Sequence, residues 1–328
     1  MPAKGLALEG LDGGTPLGFL ASLGVLRALA TEPNTQPTLH WELRNHWVPV
    51  LSNSGSMNVV VERLASDAAA WAESAVLNFR SPKVEKRGPK AVGNLKAPVA
   101  VYRHWVRDCL DRRDYEAMEY ASALMTDLAT TPIDDANVPT EAQIAQLGIH
   151  FEPGGALDRS TVPTFFDFTS RNAQFLEQVD AIRSSLDADQ FRDCLEHGVP
   201  DPMAVSTTMD WDPSADAPGA IYSATVSGRR PAAEWLAFRG LAYFPVTGHG
   251  STSYTTACRG RRKDGVFAWP IWNVPATHDT IRYLTRMPGL DKMGPAARRE
   301  LGVTQVFRAR LTKKADGYSG VFSPTEPV

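Results

Sequence analysis

The hydrophobic residues of this chain are densest in one stretch near its start, Leu17–Ala30, where Ser22 and Arg27 are the main polar positions. A helix that is apolar on nearly every side is buried on most sides. Thr15 precedes the stretch and is a good N-cap, because its hydroxyl accepts a hydrogen bond from a free backbone N–H. Pro16 suits the first helical position, where its missing N–H costs nothing. The pattern predicts a central buried helix that follows a glycine-rich turn.

Gly18 and Gly24 lie inside that helix. Glycine is unfavourable in a helix interior, so both positions indicate that another part of the chain packs close to the helix backbone. The preceding turn, Gly10–Thr15, has two interpretations. A strand, a glycine loop and a helix N-terminus form a ready anion site, but no lysine follows Gly14 and neither GxxxxGK[ST] nor GxGxxG is present. We favour a tight structural turn over a phosphate- or nucleotide-binding enzyme site.

The periodicity of the remaining chain predicts short strands and amphipathic helices. The predicted strands are Thr38–Leu43, Trp47–Leu51, Ala220–Val226, Ala242–Val246, Val266–Ile271 and Val303–Lys313. The predicted helices are Asn58–Leu77, Val99–Leu110, Tyr115–Ala129, a helix beginning near Ser170, Ala188–Glu196, Pro231–Gly240, Thr277–Met287 and Pro295–Leu301. Arg80–Lys96 is predicted to be an exposed loop and Thr247–Gly265 a second loop.

These elements predict an α+β fold. The central buried helix packs with short mixed or antiparallel strands, a helical middle segment and a mixed C-terminal lobe. Residues 1–140 are predicted to form an N-terminal lobe with the glycine turn, the central helix and the basic loop. Residues 141–328 are predicted to form a C-terminal α+β lobe, with a single domain as the alternative.

The composition is that of an ordinary globular chain, with 43% hydrophobic and 22% charged residues. No apolar run approaches the ~18 residues that span a bilayer, and Glu9 and Asp12 interrupt a secretory signal. Cys109, Cys194 and Cys258 are odd in number, far apart and without a CxxC pair. We expect a protein of the reducing cytoplasm, without a membrane partner or a structural zinc site.

Positive charge is concentrated in two segments, although the formal net charge is −3. Nucleic-acid contact must therefore come from local patches. The candidates in the first segment are Arg80, Lys83, Lys86, Arg87, Lys90, Asn94 and Lys96. The candidates in the second, beside Tyr254, are Arg259, Arg261, Arg262 and Lys263. Lys and Arg among Gly, Ser, Thr and Asn suit phosphate contacts, and Asn94 suits a base edge; a solvated charged surface is the alternative.

Other candidate chemistry is weak. The seven histidines are isolated, without HExxH or HxH spacing, and GxSxG is absent. Asp210–Asp212, followed by Asp216, lacks the glycine and glutamate of an EF-hand and is interpreted as an acidic turn. Cys194 and His197 form a weak pair. We predict no catalytic, metal-binding or cofactor-binding residue, and no cofactor.

Five stretches resemble large-subunit-like proteins of type I CRISPR effector (Cascade) complexes, especially the I-U/I-G kind. The first is LEGLDGGTPLGFLASLGVLRAL at 8–29, a glycine- and proline-containing turn that leads into an LGVLR helix. The others are FDFTSRNAQFLEQ at 166–178, MDWDPSADAPGAIYSA at 209–224, WLAFRGLAYFPVTG at 235–248 and FAWPIWNVPATHDTIRYL at 267–284. These motifs are apolar and structural rather than catalytic.

The resemblance implies a non-catalytic subunit of an RNA-guided complex, near the 5′ end of the guide. Such a subunit contacts guide RNA and double-stranded target DNA, helps to recognise the short motif beside the target, and recruits a helicase-nuclease. Its partners are the other subunits of the complex. The chain is shorter than the larger members, so a fused helical-bundle small subunit is not expected. A scaffold without nucleic-acid contact is the remaining alternative.

Overall fold

The structure is a computed structural model that describes residues 5–30, 36–128, 131–133, 137–169, 174–199, 208–212, 229–260, 264–313 and 320–328. Within these ranges the helices are α1 (Pro16–Leu29), α2 (Met57–Ala70), α3 (Val99–Asp111), α4 (Tyr115–Leu124), α5 (Glu141–Gln146), α6 (Phe175–Ser184), α7 (Ala188–Glu196), α8 (Pro231–Gly240), α9 (His278–Arg286) and α10 (Pro295–Glu300). No helix of the described residues is both long and apolar enough to cross a bilayer.

The strands are short and pair with antiparallel neighbours. They are β1 (Leu6–Ala7), β2 (Thr38–Leu43), β3 (Trp47–Ser52), β4 (Ser81–Glu85), β5 (Gly88–Val92), β6 (Met125–Thr126), β7 (Val162–Pro163), β8 (Val246–His249), β9 (Thr252–Thr255), β10 (Cys258–Arg259), β11 (Val266–Trp272), β12 (Val303–Lys313), β13 (Gly320–Phe322) and β14 (Glu326–Pro327). One sheet has the order β1-β3-β2 and a second the order β10-β11-β12-β13, with β14 also on β12. The predicted α+β fold is confirmed.

Helix α1 is the buried centre that the sequence predicts. The Thr15 hydroxyl accepts from the Gly18 amide at 3.1 Å, and Pro16 is the first helical residue. Every residue of α1 except Arg27 is buried. A Cβ added at Gly24 would lie 1.7 Å from the carbonyl oxygen of Leu236 in α8. The backbones of α1 and α8 are therefore in direct contact, and this contact explains the glycine.

Aromatic side chains connect α1 to both sheets. The ring of Phe19 lies 5.8 Å from Trp41 of β2 and 5.8 Å from Trp269 of β11, between ring centroids. One hydrophobic cluster contains residues from both sides of position 140. The division into lobes 1–140 and 141–328 stays a prediction.

A buried charge network ties α8 to α2 and α4. Arg239 is fully buried, and its Nε and Nη2 atoms donate to the Asp67 carboxylate at 2.9 and 2.7 Å. Its Nη1 atom donates to Glu116 and to the Tyr120 hydroxyl, both at 2.9 Å, while the guanidinium lies 4.2 Å from the ring centroid of Trp71. A buried charge is tolerated only when it is paired and hydrogen-bonded in this way.

Two predicted loops are wrong. Arg80–Lys96 contains the hairpin β4–β5, and its prolines are tolerated because a two-stranded ribbon leaves one edge of each strand free. Thr247–Gly265 contains most of the hairpin β8–β9 and also β10. Gly250 has φ +60° at the tip of β8–β9, a conformation that glycine adopts without strain.

Other boundaries differ in detail. Tyr115–Ala129 ends as a helix at Leu124, because Met125–Thr126 pairs with β7. Ala242–Val246 is not a strand, since a 3-10 turn covers Leu241–Tyr243 and β8 begins at Val246. The strand predicted at 220–226 and the helix start near 170 lie outside the described residues. Elements with the predicted bounds are Thr38–Leu43, Ala188–Glu196, Pro231–Gly240 and Val303–Lys313.

Candidate nucleic-acid interface

The hairpin β4–β5 concentrates four of the predicted cations. Lys83 and Lys90 are direct cross-strand partners, so their side chains share one face. Lys86 and Arg87 form the two-residue turn at the tip, and both are exposed. Because strand side chains alternate, Glu85 lies on the same face as Lys83.

Glu85 is the acid between these cations. Its carboxylate lies 3.1 Å from the Lys83 ammonium and 3.9 Å from that of Lys90. The hydrogen bond from Lys83, followed by the charge of Lys90, lowers the pKa of Glu85 below its ordinary value. Four cations face one carboxylate, so the end of the hairpin keeps an excess of positive charge.

The other end of the hairpin is fixed to the body of the protein. Ser81 and Val92 are buried, and the Ser81 hydroxyl donates to the Lys96 carbonyl at 3.2 Å. The Gly93 amide donates to the Glu177 carboxylate at 3.1 Å, while its carbonyl accepts from the Leu176 amide at 3.0 Å. The strands β4 and β5 pair with no other strand of the described chain. The hairpin is therefore a ribbon anchored on α6 with its charged end in solvent.

The flanking candidates of this segment have local backbone roles. The Arg80 guanidinium donates to the carbonyls of Leu77 and Phe79, at 2.7 and 2.9 Å, and closes the turn before β4. The Asn94 side-chain oxygen accepts from the Lys96 amide at 3.0 Å, and Lys96 is exposed. These three residues lie at the anchored end, away from the tip.

The second basic segment begins at the end of β10. Both terminal nitrogens of the Arg259 guanidinium pair with the Asp291 carboxylate. The other candidates of this segment, Arg261, Arg262 and Lys263, lie outside the described residues. Arg259 is therefore the part of the segment that the structure connects to the sheet.

Two arginines that sequence reasoning missed lie beside Arg259. The register places Arg259 opposite Val266, and Val266 opposite Arg310, in one row across β10, β11 and β12. Arg308 lies two residues from Arg310 along β12, so all three side chains emerge from the same side of the sheet. We call this set, Arg259, Arg308 and Arg310, the arginine face. The alternation within Val303–Lys313 was the signal that could have revealed it.

The cations of the arginine face differ in their pairing. Arg308 donates to Glu326 of β14 through Nη2 at 2.9 Å and through Nε at 3.1 Å. Arg310 is exposed and forms no ion pair within the described ranges. Its charge is therefore available to an external anion.

A cavity of about 310 Å³ opens above the same side of the sheet. It is lined by residues of β11 and β12, by the end of β9 together with β10, and by the end of α9 with the chain that follows it. The lining residues are Thr247, Tyr254–Arg259, Ala268–Pro270, Thr285–Asp291 and Val306. Tyr254 is 51% exposed and presents an aromatic ring to solvent beside this opening.

The glycine turn does not offer a phosphate cradle. Gly10, Gly13 and Gly14 donate their amides to the Leu195 carbonyl, the Trp47 carbonyl and the Asp12 carboxylate, at 2.8–2.9 Å. A Cβ on Gly13 would lie 2.3 Å from the Trp41 ring. Internal partners occupy these donors, as is expected of a tight structural turn.

The acidic turn is docked on the core. Trp211 is fully buried and donates its indole N–H to the Phe166 carbonyl at 2.9 Å. Asp212 pairs with Arg230 at 2.6 Å. Glu234 is 3% exposed and accepts from the Met209 amide at 3.0 Å, and burial raises its pKa to about 7. The predicted Asp216 lies outside the described residues.

The cysteine thiols are poorly suited to act as nucleophiles. All three cysteines are free, and burial raises the pKa of the Cys194 thiol to about 12. A thiol that stays protonated at neutral pH is a weak nucleophile. Among the described residues, no group of three or more His, Cys, Asp and Glu side chains is arranged to hold a metal ion.

Comparison with known proteins adds no family. The chain matches no protein-family model, and a search of curated proteins finds no match. The basic hairpin, the arginine face and the five resembling stretches are therefore the features from which a function can be inferred.

Proposed function

We propose that this chain is a non-catalytic subunit of an RNA-guided type I CRISPR effector complex of the I-U/I-G kind. In that complex it binds guide RNA and target double-stranded DNA through their phosphates. The observation that supports nucleic-acid binding is the anchored hairpin β4–β5. Its free end is surrounded by Lys83, Lys86, Arg87 and Lys90. The RNA-guided context comes from the resemblance of the five stretches.

The hairpin suits a sequence-independent contact. Lysine and arginine side chains that neutralise phosphates release condensed counterions, and this release supplies much of the affinity for nucleic acid. In RNA-guided recognition, base pairing reads most of the target, while the protein holds the backbone and reads a short flanking motif. A fixed ribbon with a cationic end is suited to holding the nucleic-acid backbone.

The resemblance supplies the remaining partners. We expect contact with the other subunits, recruitment of the helicase-nuclease and a contribution to reading the flanking motif. Asn94 and Lys96 remain the predicted base-reading residues, at the anchored end of the hairpin. The three free cysteines suit a reducing cytoplasm, where we expect the complex to act.

The alternatives have less support. A nucleotide-binding enzyme that uses the Gly10–Thr15 turn would need amide donors that internal carbonyls and Asp12 already occupy. A scaffold without nucleic-acid contact gives no reason for four cations on one projecting ribbon. Nucleic-acid binding accounts for the cationic ribbon, and the glycine turn then has a structural role.

The test removes the hairpin charges in the assembled complex. Lys83, Lys86, Arg87 and Lys90 are replaced together by Ala, and target-duplex affinity is measured at several salt concentrations. Each lost phosphate contact should reduce the log–log salt slope by roughly 0.9, for matched and mismatched flanks alike. The complex is also examined for a discrete guide-sized RNA that copurifies with it.

The control removes the same charge elsewhere. Arg103, Arg107, Arg112 and Arg192 are exposed or half-exposed and pair with acids of the chain itself, so their replacement by Gln should change the slope little. If the hairpin variant keeps the wild-type affinity and slope, the hairpin is a solvated surface and the proposal fails. Absence of RNA from the purified complex would count equally against the RNA-guided context.

A further inference from the structure

We infer that the cavity beside the arginine face receives one unstacked base of a single strand, whose phosphates lie along that face. The inference rests on the proposed nucleic-acid function and specifies the ligand of a second site. The cavity lies on the sheet that contains β11 and β12, which is separate from the hairpin β4–β5. The ligand class is a single-stranded nucleotide segment, held by its base and its backbone together.

The lining and the volume of the cavity suit a base. Ala268, Pro270 and Val306 share one side of the sheet and give an apolar floor. The segment Met287–Leu290 also lines the cavity. A volume of about 310 Å³ lies at the small end of the range of roughly 300–1,000 Å³ that small-molecule sites occupy. This space is large enough to receive a base.

An aromatic ring stands at the edge of the cavity. Tyr254 is 51% exposed, and its strand partner Thr247 also lines the cavity. Bases stack on exposed aromatic side chains with little sequence preference, because every base presents a π face. An exposed tyrosine held by a hairpin is therefore a stacking partner for an entering base.

Cations flank the opening where the backbone would pass. Arg286 lines the cavity, is exposed and forms no ion pair within the described part of the chain. Arg310 lies in the same cross-strand row as Arg259 and likewise forms no ion pair with a described residue. Asp291 and Glu326 already neutralise Arg259 and Arg308. The unpaired guanidinium groups, Arg286 and Arg310, are the ones available to phosphates.

The test separates base contact from phosphate contact in the full chain. Anisotropy titrations compare a labelled random-sequence pentadeoxynucleotide with an abasic backbone of the same length and charge. The wild-type chain should bind the intact pentamer about tenfold more tightly, the size of effect expected from one stacked base. Arg310→Gln should weaken both ligands equally and lower the salt slope by roughly 0.7, the single-strand value for one contact.

Variants of the cavity locate the base. Tyr254→Ala removes the ring, and Ala268→Leu fills the floor, so each should abolish the preference for the intact pentamer. Tyr254→Phe keeps the ring and should keep the preference. Tyr254 is half-exposed, so unchanged melting temperatures are expected for both of its variants.

The outcomes distinguish this inference from the hairpin proposal. Equal wild-type affinity for the two ligands, absence of binding to either, or a preference that survives both Tyr254→Ala and Ala268→Leu would overturn the cavity site. None of these results alters the duplex measurements on the β4–β5 variant. Conversely, an unaffected hairpin variant would remove the hairpin proposal and leave a base preference at Tyr254 standing.

Discussion

At the residue scale, Glu234 lies in surroundings that differ strongly from water. It is 3% exposed in the first turns of α8, and burial raises its pKa from the ordinary 4.5 to about 7. Its partners, the Met209 amide and the Thr208 hydroxyl, stabilise the carboxylate only in part. The native protein therefore holds a proton on Glu234 at a pH where the unfolded chain has released it.

This difference predicts a pH-dependent stability. The contribution of Glu234 is fully present below pH 4.5 and is lost as the pH rises through about 7. The free energy of unfolding should fall by up to about 1.4 kcal/mol per pH unit across that interval. Glu234→Gln cannot titrate and should lack this fall in urea unfolding at pH 4.5, 5.5, 6.5 and 7.5.

The measurement is the difference between wild type and variant, because His278 titrates in the opposite sense. Burial lowers the pKa of His278 to about 4, so its contribution is lost as the pH falls below the ordinary 6.5. Both proteins contain His278, and the subtraction removes it. Glu85→Gln, at an exposed carboxylate with a lowered pKa, should not reproduce the effect. Parallel profiles of wild type and Glu234→Gln would contradict the prediction.

At the element scale, the contact between α1 and α8 depends on glycine. Gly24 faces Leu236, and Gly240 faces Leu20, so each helix presents a glycine to the backbone of the other. Helix propensity alone predicts that Gly24→Ala stabilises α1 by roughly 0.5–1 kcal/mol. A Cβ 1.7 Å from the Leu236 carbonyl oxygen would instead force the helices apart.

Packing should therefore outweigh propensity. We expect Gly24→Ala to destabilise the protein by about 1–3 kcal/mol or more, the cost typical of overpacking. Gly294→Ala is the matched control, because a Cβ there meets nothing within 4 Å and φ is −67°; its effect should stay below about 1 kcal/mol. Thermal unfolding measures both. A higher midpoint for Gly24→Ala would show that α1 and α8 are not in backbone contact.

At the scale of the whole molecule, positive charge is displayed on two separate sheets. The acid of the hairpin is Glu85, while those of the arginine face are Asp291 and Glu326, so the two regions share no ion-pair partner among the residues described. Substitutions at sites without shared partners usually add within about 0.3–0.5 kcal/mol.

Additivity gives a prediction for the assembled complex. Combining the fourfold hairpin variant with Arg286→Gln and Arg310→Gln should reduce target affinity by the sum of the separate free-energy losses. The salt slopes should fall in the same additive way. Affinity of the complex for its target duplex, measured at matched salt, checks the sum. A loss clearly smaller than the sum would mean that the two regions compete for the same phosphates.

The elements that could be predicted from the sequence are those whose signals are local. Thr15 and Pro16 mark the start of α1, Pro231 marks the start of α8, and alternation delimits Val303–Lys313; each signal acts within a few residues. The sequence also located both clusters of positive charge. The sequence did not show which cations project into solvent and which, like Arg80, donate hydrogen bonds to backbone carbonyls.

The arrangement of the candidate interface depends on long-range contacts. The hairpin β4–β5 is anchored where the Gly93 amide donates to Glu177 of α6, 84 residues along the chain. The arginine face exists because the register of β10, β11 and β12 aligns Arg259 with Arg310. Side-chain alternation follows from the strand alone, but the neighbour that each face meets depends on pairing between distant segments. Local pattern therefore predicted the elements, and long-range pairing brought the charged side chains and the cavity together.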